Sequence, residues 1–260
     1  YRIFAGVFDK TFTEDFYVNP PYPAVRLNVA KIIQVFNFDF LLVEWNATAI
    51  KESISRVISE LEEVGAPPTW ALDNHDSPRV VSRLQDPVKA RALALITHAL
   101  PGGIYIYQGE ELGLPDGELQ PSDRQDPAFI RSGGTDLGRD GARVPLPWVS
   151  TEKNYGFSSG KPWLPMTNAY KNHAMNVEEV DVDSFLNLYR TSLALRKRHP
   201  GLGGDSGLTW HDAPEGVVYF SRSNKLVVLA NTTDSEIETN IHAAAMILHQ
   251  SNAGASISGS

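Results

Sequence analysis

The sequence predicts an α/β protein in which parallel βαβ units give way near residue 205 to a small antiparallel β region. Two observations predict the first part. Short apolar runs alternate with helix-period stretches up to about residue 107, and a polar cluster follows each of the strand-like runs Thr69-Trp70-Ala71-Leu72 and Ile104-Tyr105-Ile106-Tyr107. A third predicts the second part: Val217-Val218-Tyr219-Phe220 and Leu226-Val227-Val228-Leu229 flank Ser223-Asn224, as the arms of a hairpin would.

Residues 2–8 are a short apolar run, the pattern of a strand buried on both faces. Residues 9–31 read as loop, broken by Asn19-Pro20-Pro21 and Tyr22-Pro23. In 33–43, Phe36, Phe38 and Phe40 alternate with Asn37 and Asp39, the period of a strand or strand end. A helix follows over about 47–64. Ile50, Ile54, Val57, Ile58, Leu61 and Val64 share one face, Asn46 or Thr48 can cap the start, and Gly65 with Pro67-Pro68 ends it. After the strand 69–72, Asp86-Pro87 opens a second helix that runs to about Leu100 and stops at Pro101-Gly102-Gly103. Residues 112–182 are loop-rich and carry Trp148 and Trp163; a loop of that length in a compact domain is usually functional. A helix over about 183–198, capped by Asp183, ends on Arg196-Lys197-Arg198, charges that suit the negative helix terminus. Beyond the hairpin, 236–242 reads as a further strand and Ser251–Ser260 as a mobile tail.

Composition narrows the function. Of 260 residues, 42% are hydrophobic and 21% charged, as in a folded globular chain. The net charge of -8, with 31 acidic against 23 basic residues, is opposite in sign to that of a phosphate-gripping protein, so no nucleic-acid partner is expected. Anionic lipid would be repelled too, and no apolar run reaches the roughly 18 residues of a membrane span. Without cysteine there are no disulfides or thiolate metal sites, which suits a cytoplasmic protein. No metal-ligand spacing, Walker loop or Gly-rich dinucleotide turn is present, so no cofactor is expected. The chain opens on Tyr1-Arg2-Ile3-Phe4, directly on a strand-like run, so upstream residues are expected.

Asn74-His75-Asp76 is the sharpest chemical signal. Glycosyl transfer passes through an oxocarbenium-like transition state and needs fixed negative charge beside the anomeric carbon; an imidazole alongside can bind sugar hydroxyls. The competing reading makes the tripeptide a turn, with Asp76 capping the segment from Pro78 onward. Arg79 can clamp the carboxylate or lie on the surface. Glu110 and Glu111 follow the next strand as either catalytic groups or a loop-ordering salt bridge. The stretch from Arg139 to Trp148 combines guanidinium donors with an aromatic face, as a sugar-binding loop or a packed surface loop would. His98 and His199 read as structural, and Tyr105 and Tyr107 as core.

In order along the chain, Phe36-Asn37-Phe38-Asp39-Phe40, Trp70 through Asp76, Leu100 through Gly113, Gln125-Asp126-Pro127 and Arg139 through Trp148 resemble glycoside hydrolase family 13, the α-amylase clan. The likeness is to bacterial α-glucosidases and oligo-1,6-glucosidases, and it covers about residues 1–235. It implies the C-terminal part of a (β/α)8 TIM barrel over 1–204 and a small, incomplete antiparallel β domain over 205–260, with Tyr189-Arg190 and Leu193 to Arg196 in the helix that closes the barrel. It implies retaining hydrolysis of terminal α-glucosidic bonds in short oligosaccharides, the partner being the sugar itself. The resemblance makes Asp76 the catalytic, transition-state-stabilising carboxylate. It places His75, Asn74, Arg79 and Arg143 at the substrate. Two departures stand out: the nucleophile's segment would lie before Tyr1, and Val7 stands where an acid–base glutamate is expected. The chain alone is therefore expected to be inactive. The rivals are a transglucosidase or sugar isomerase on the same scaffold, and a non-catalytic sugar-binding or transporter-accessory protein.

Overall fold

A computed structural model describes residues 38–203, 207–238 and 246–251, which fall into two compact units. The expected strand at 2–8, the loop at 9–31, Val7, Phe36 and Asn37 lie outside the described residues, as does the tail beyond Ser251.

The first unit comprises 38–71, 99–105, 198–203 and 207–238 of the described residues. Helix α1 (Ala47–Glu63) forms where the apolar spacing places it and buries Ala47, Ile50, Ile54, Val57 and Leu61. Asn46 Oδ1 accepts the Ala49 N–H at 2.7 Å and caps it. At the other end Gly65 takes φ 67°, its N–H reaches the Glu62 carbonyl, and the Ala66 N–H reaches that of Leu61. These two bonds satisfy carbonyls that the helix end would otherwise leave open. Strands β1 (Thr69–Ala71) and β2 (Gly103–Tyr105) pair in parallel, Trp70 opposite Ile104. Two helices lie between them in sequence, so the βαβ reading holds for the unit that joins 69–72 to 104–107. The buried Trp70 donates its indole N–H to the Pro101 carbonyl at 2.6 Å and meets Phe40 edge to face at 5.2 Å.

Strands β3 (Leu208–Trp210), β4 (Val217–Arg222) and β5 (Leu226–Asn231) form an antiparallel sheet in that order. The expected hairpin is β4–β5, with Ser223 at φ 41° in its turn; β3 is an added strand. Val218 and Phe220 are buried, and α1 packs on β4. Two expectations change here. Phe38–Val43 is not a strand but a turn, closed by the Val43 N–H on the Phe40 carbonyl at 3.1 Å. There Phe40 is buried against Trp70 as an aromatic anchor. Residues 236–238 are not in a strand, and 239–242 lie outside the described residues.

The second unit comprises 72–98, 106–197 and 246–251. Its helices are α2 (Val80–Leu84), α3 (Pro87–Ala99), α4 (Pro127–Arg131), α5 (Met175–Glu178) and α6 (Phe185–Arg198). Asp86 caps α3 through the Val88 N–H at 2.8 Å, as expected. The cap of α6 is Ser184 rather than Asp183: its hydroxyl accepts the Asn187 N–H, and its carbonyl takes the first helical bond from Leu188. Residues 112–182 are built largely of short 3-10 turns folded over an apolar cluster of Leu112, Leu114, Leu119, Val144, Leu164, Tyr170 and Leu186. No helix among the described residues is long and apolar enough to cross a membrane.

Candidate active site

Asn74, His75 and Asp76 follow β1 in sequence and precede α2. Arg79 occupies the N-cap position of α2, and the Val80 N–H is taken by Asp73 Oδ1 at 2.5 Å. Asp76 is thus released from the capping role that competed with a chemical one. Its backbone N–H instead donates to Asn74 Oδ1 at 2.9 Å, a tight side-chain turn that sets the direction in which Asp76 leaves the chain.

The Asp76 carboxylate is 42% exposed and meets two arginines from 63 and 67 residues further on. Arg139 Nη1 donates to Oδ1 at 2.8 Å, and Arg143 Nη2 donates to the same oxygen at 3.1 Å. Arg143 Nε also donates to the His75 carbonyl at 2.8 Å. His75 Nε2 stands 3.4 Å from the other oxygen, Oδ2. One carboxylate oxygen is therefore filled by guanidinium N–H groups, while the second faces the imidazole.

A buried layer holds the arginines. Asp126 Oδ2 accepts from Arg139 twice, at the backbone N–H (2.9 Å) and at Nε (2.8 Å), and Oδ1 caps α4 through the Ala128 N–H. The Arg139 guanidinium holds the Asp126 carboxyl well below the usual carboxylate range, with the Ala128 N–H adding to it. Reciprocally, Asp126 and then Asp76 raise the guanidinium of Arg139. Beneath Asp126 lies Asp140, fully buried, whose Oδ2 accepts the N–H groups of both Gln125 and Asp126. Gly138 closes the approach. It sits at φ 65°, and a Cβ there would fall 2.7 Å from that of Asp126.

A second polar group lies within the same unit. Arg79 is fully buried; it donates to the carbonyls of Gln108 and Ala142 at 3.0 Å each, and its guanidinium lies over the Tyr107 ring at 5.0 Å. Arg83 donates to the Leu72 carbonyl at 2.9 Å. Burial raises the Asp73 carboxyl to about 6 against the pull of Arg79. Glu110, also buried, is pushed well above its ordinary value by burial and then by Asp73. The Tyr189 hydroxyl donates to it at 2.9 Å. Glu110 therefore takes a tyrosine hydroxyl and the Tyr107 backbone N–H and, among the described residues, makes no salt bridge of the kind considered for it.

Of the residues expected from sequence, Asp76, His75, Asn74 and Arg143 come together. Arg79 does not reach Asp76. It bonds the Ala142 carbonyl, one residue from Arg143, and so braces the turn Asp140–Arg143 that Val144 anchors in the core. His98 is buried against Ser192 and Tyr189, and burial lowers it to about 4. Sequence reasoning missed Asp126, Arg139 and Asp140 as parts of the cluster. The available signals were the Asp126-Pro127 capping pair and the charges opening Arg139-Asp140-Gly141. A cavity of about 440 Å³ lined by Tyr155, Lys161, Pro162 and Met166 includes none of the cluster residues.

Residues 18–204 match the family described as alpha amylase, catalytic domain. A probable alpha-glucosidase of Rhizobium meliloti (strain 1021) is 44% identical over 138 residues, 51% of this chain and 25% of that protein. An oligo-1,6-glucosidase of Heyndrickxia coagulans is 28% identical over 244 residues, 78% of this chain and 43% of that protein. Among solved structures, the alpha-glucosyl transfer enzyme XgtA superposes with a TM-score of 0.68 at 36% identity, over 77% of this chain and 38% of that one. Bacillus licheniformis trehalose-6-phosphate hydrolase (TreA) gives a TM-score of 0.71 at 26% identity, over 86% of this chain and 48% of that one. The chain thus spans between a quarter and just under half of the length of these proteins.

Proposed function

Because the chain belongs to the family of α-amylase catalytic domains, we propose that it contributes the charge-stabilising half of a site for short α-glucosides, with Asp76 at its centre. One observation carries the reading: both arginines of the loop end on Asp76 Oδ1, leaving Oδ2 beside His75. A carboxylate locked through one oxygen cannot rotate away. Its negative charge stays fixed where an anomeric carbon turns positive, and its second oxygen is left to accept a sugar hydroxyl. His75 is placed to share that hydroxyl or its neighbour. Asn74 acts through the Asp76 N–H, and Arg79 through the Ala142 carbonyl.

In this reading residues 1–204 form the C-terminal part of a (β/α)8 barrel and 205–260 part of a β domain. The reaction is retaining: a carboxylate attacks the anomeric carbon, the glycosidic oxygen leaves with a proton from a general acid, and water then resolves the glycosyl ester. Val7 stands where the resemblance puts that acid. Loss of general acid catalysis costs about 10²–10⁴ in rate, so the chain by itself should bind sugar without turning it over. Calorimetric titration with maltose and isomaltose tests the reading. Binding by the wild type that disappears in Asp76→Asn supports it, and equal binding by both sinks it. A measurable rate on an aryl α-glucoside, abolished by Asp76→Asn, would contradict the expectation of inactivity. The likeness to XgtA favours glucosyl transfer as a second reading of the same site. Product analysis with a sugar acceptor and a site completed by its nucleophile separates transfer from hydrolysis.

A further inference from the structure

An arginine that meets only a half-exposed carboxylate is a loose device. Its long side chain keeps rotamer freedom that must be given up to hold one geometry, and exposed pairs of this kind contribute little. Arg139 is not in that situation. Before it reaches Asp76 it is pinned at its backbone N–H and at Nε by one oxygen of Asp126, whose side chain is fully buried. Arg143 Nη1 stands 3.9 Å from the same oxygen. Asp126 cannot drift in turn, because Asp140 holds its N–H and that of Gln125, and because Oδ1 is engaged at the first turn of α4. Two carboxylates and two guanidinium groups therefore alternate from the interior outward. Asp126 is the buried member, and Asp76, Arg139 and Arg143 reach the surface.

We propose that Asp126 is a positioning residue: it fixes Arg139, and through Arg139 the rotation of the Asp76 carboxylate, so that Oδ2 is aimed before sugar arrives. The proposal rests on the reading of Asp76 given above. Preorganising a charged group through a buried partner removes its reorganisation from the binding step. Neutralising Asp126 would leave two cations against one carboxylate, free to draw Asp76 into other pairings.

Asp126→Asn separates this role from helix capping, because asparagine caps as well as aspartate but carries no charge. In the wild-type chain, the Arg139 Nε–H bonded to Asp126 is expected to give a slowly exchanging side-chain NMR signal, to be assigned by its loss in Arg139→Lys. The expected result is that this signal collapses in Asp126→Asn, survives in Asp76→Asn, and is accompanied by about tenfold weaker maltose binding. The double variant Asp126→Asn/Arg139→Lys should bind no more weakly than Arg139→Lys alone, since contacting residues in one network are non-additive. An unchanged Nε–H signal in Asp126→Asn overturns the proposal, as do unchanged affinity or additive losses. If Asp126→Asn does not fold, Arg139→Lys decides with the buried carboxylate intact: wild-type maltose affinity in that variant overturns the proposal, and a tenfold loss upholds it. A wild-type chain that binds no sugar would overturn the reading of Asp76 instead, and the Nε–H signal would still decide whether Asp126 holds Arg139.

Discussion

Two groups in the second unit each set two arginines among carboxylates, with opposite electrostatics. In one, Asp76 and Asp126 receive the N–H groups of Arg139 and Arg143, and Asp126 is driven below the usual carboxylate range. In the other, Arg79 and Arg83 spend their N–H groups on backbone carbonyls. Asp73 and Glu110 take theirs from backbone amides and a tyrosine, and both carboxyls are raised. The difference lies in burial and in where donors point, not in the number of charges. The first group presents a fixed negative charge at the surface. The second is a scaffold whose carboxyls are most at home neutral.

The contrast can be broken most forcefully at its buried end. Arg79→Met strips two carbonyls of their donor and should lower unfolding free energy by about 3–5 kcal/mol, the usual cost of breaking a buried charged network; urea denaturation measures it. A loss below 1 kcal/mol would mean that Arg79 is not a structural strut.

A smaller effect sharpens the ionisation of the second group. Asp73 titrates near 3.8 when unfolded and near 6 when folded. The stability it contributes is present below about pH 4 and lost as pH rises to about 6. At roughly 1.4 kcal/mol per pH unit, the loss is on the order of 3 kcal/mol. Wild type should fall relative to Asp73→Asn across that window and run parallel to it above. A constant difference from pH 4 to 7 would refute the raised value.

The smallest expected change in stability belongs to the exposed group. Arg143→Met should shift unfolding by less than about 1 kcal/mol, as half-exposed ion pairs do, while weakening maltose binding. A stability loss as large as that of Arg79→Met would erase the distinction between strut and presenting residue.

Much of the fold was legible because it is written locally. Apolar spacing, Asn46 and Gly65 define α1 within a span of some twenty residues, and the β4–β5 hairpin is read the same way. The cluster is only half legible. Asn74, His75 and Asp76 are adjacent in sequence, but their partners arrive from 63 to 68 residues away, a distance at which spacing says nothing. Composition marked the loop from Arg139 to Trp148, and resemblance singled out Arg143 within it. Asp126 entered only within the Gln125-Asp126-Pro127 motif of the resemblance; it caps α4, and nothing local shows that its second oxygen holds an arginine. Arg79 misled in the other direction, because proximity to Asp76 in sequence suggested a clamp while burial took it elsewhere.

Position 138 is closed to every other amino acid on two separate grounds. The backbone is twisted into a region that L side chains rarely occupy, and even a lone methyl would collide with the carbon that carries the Asp126 carboxyl. Any side chain added at 138 must therefore push against the Asp126 side chain that holds Arg139.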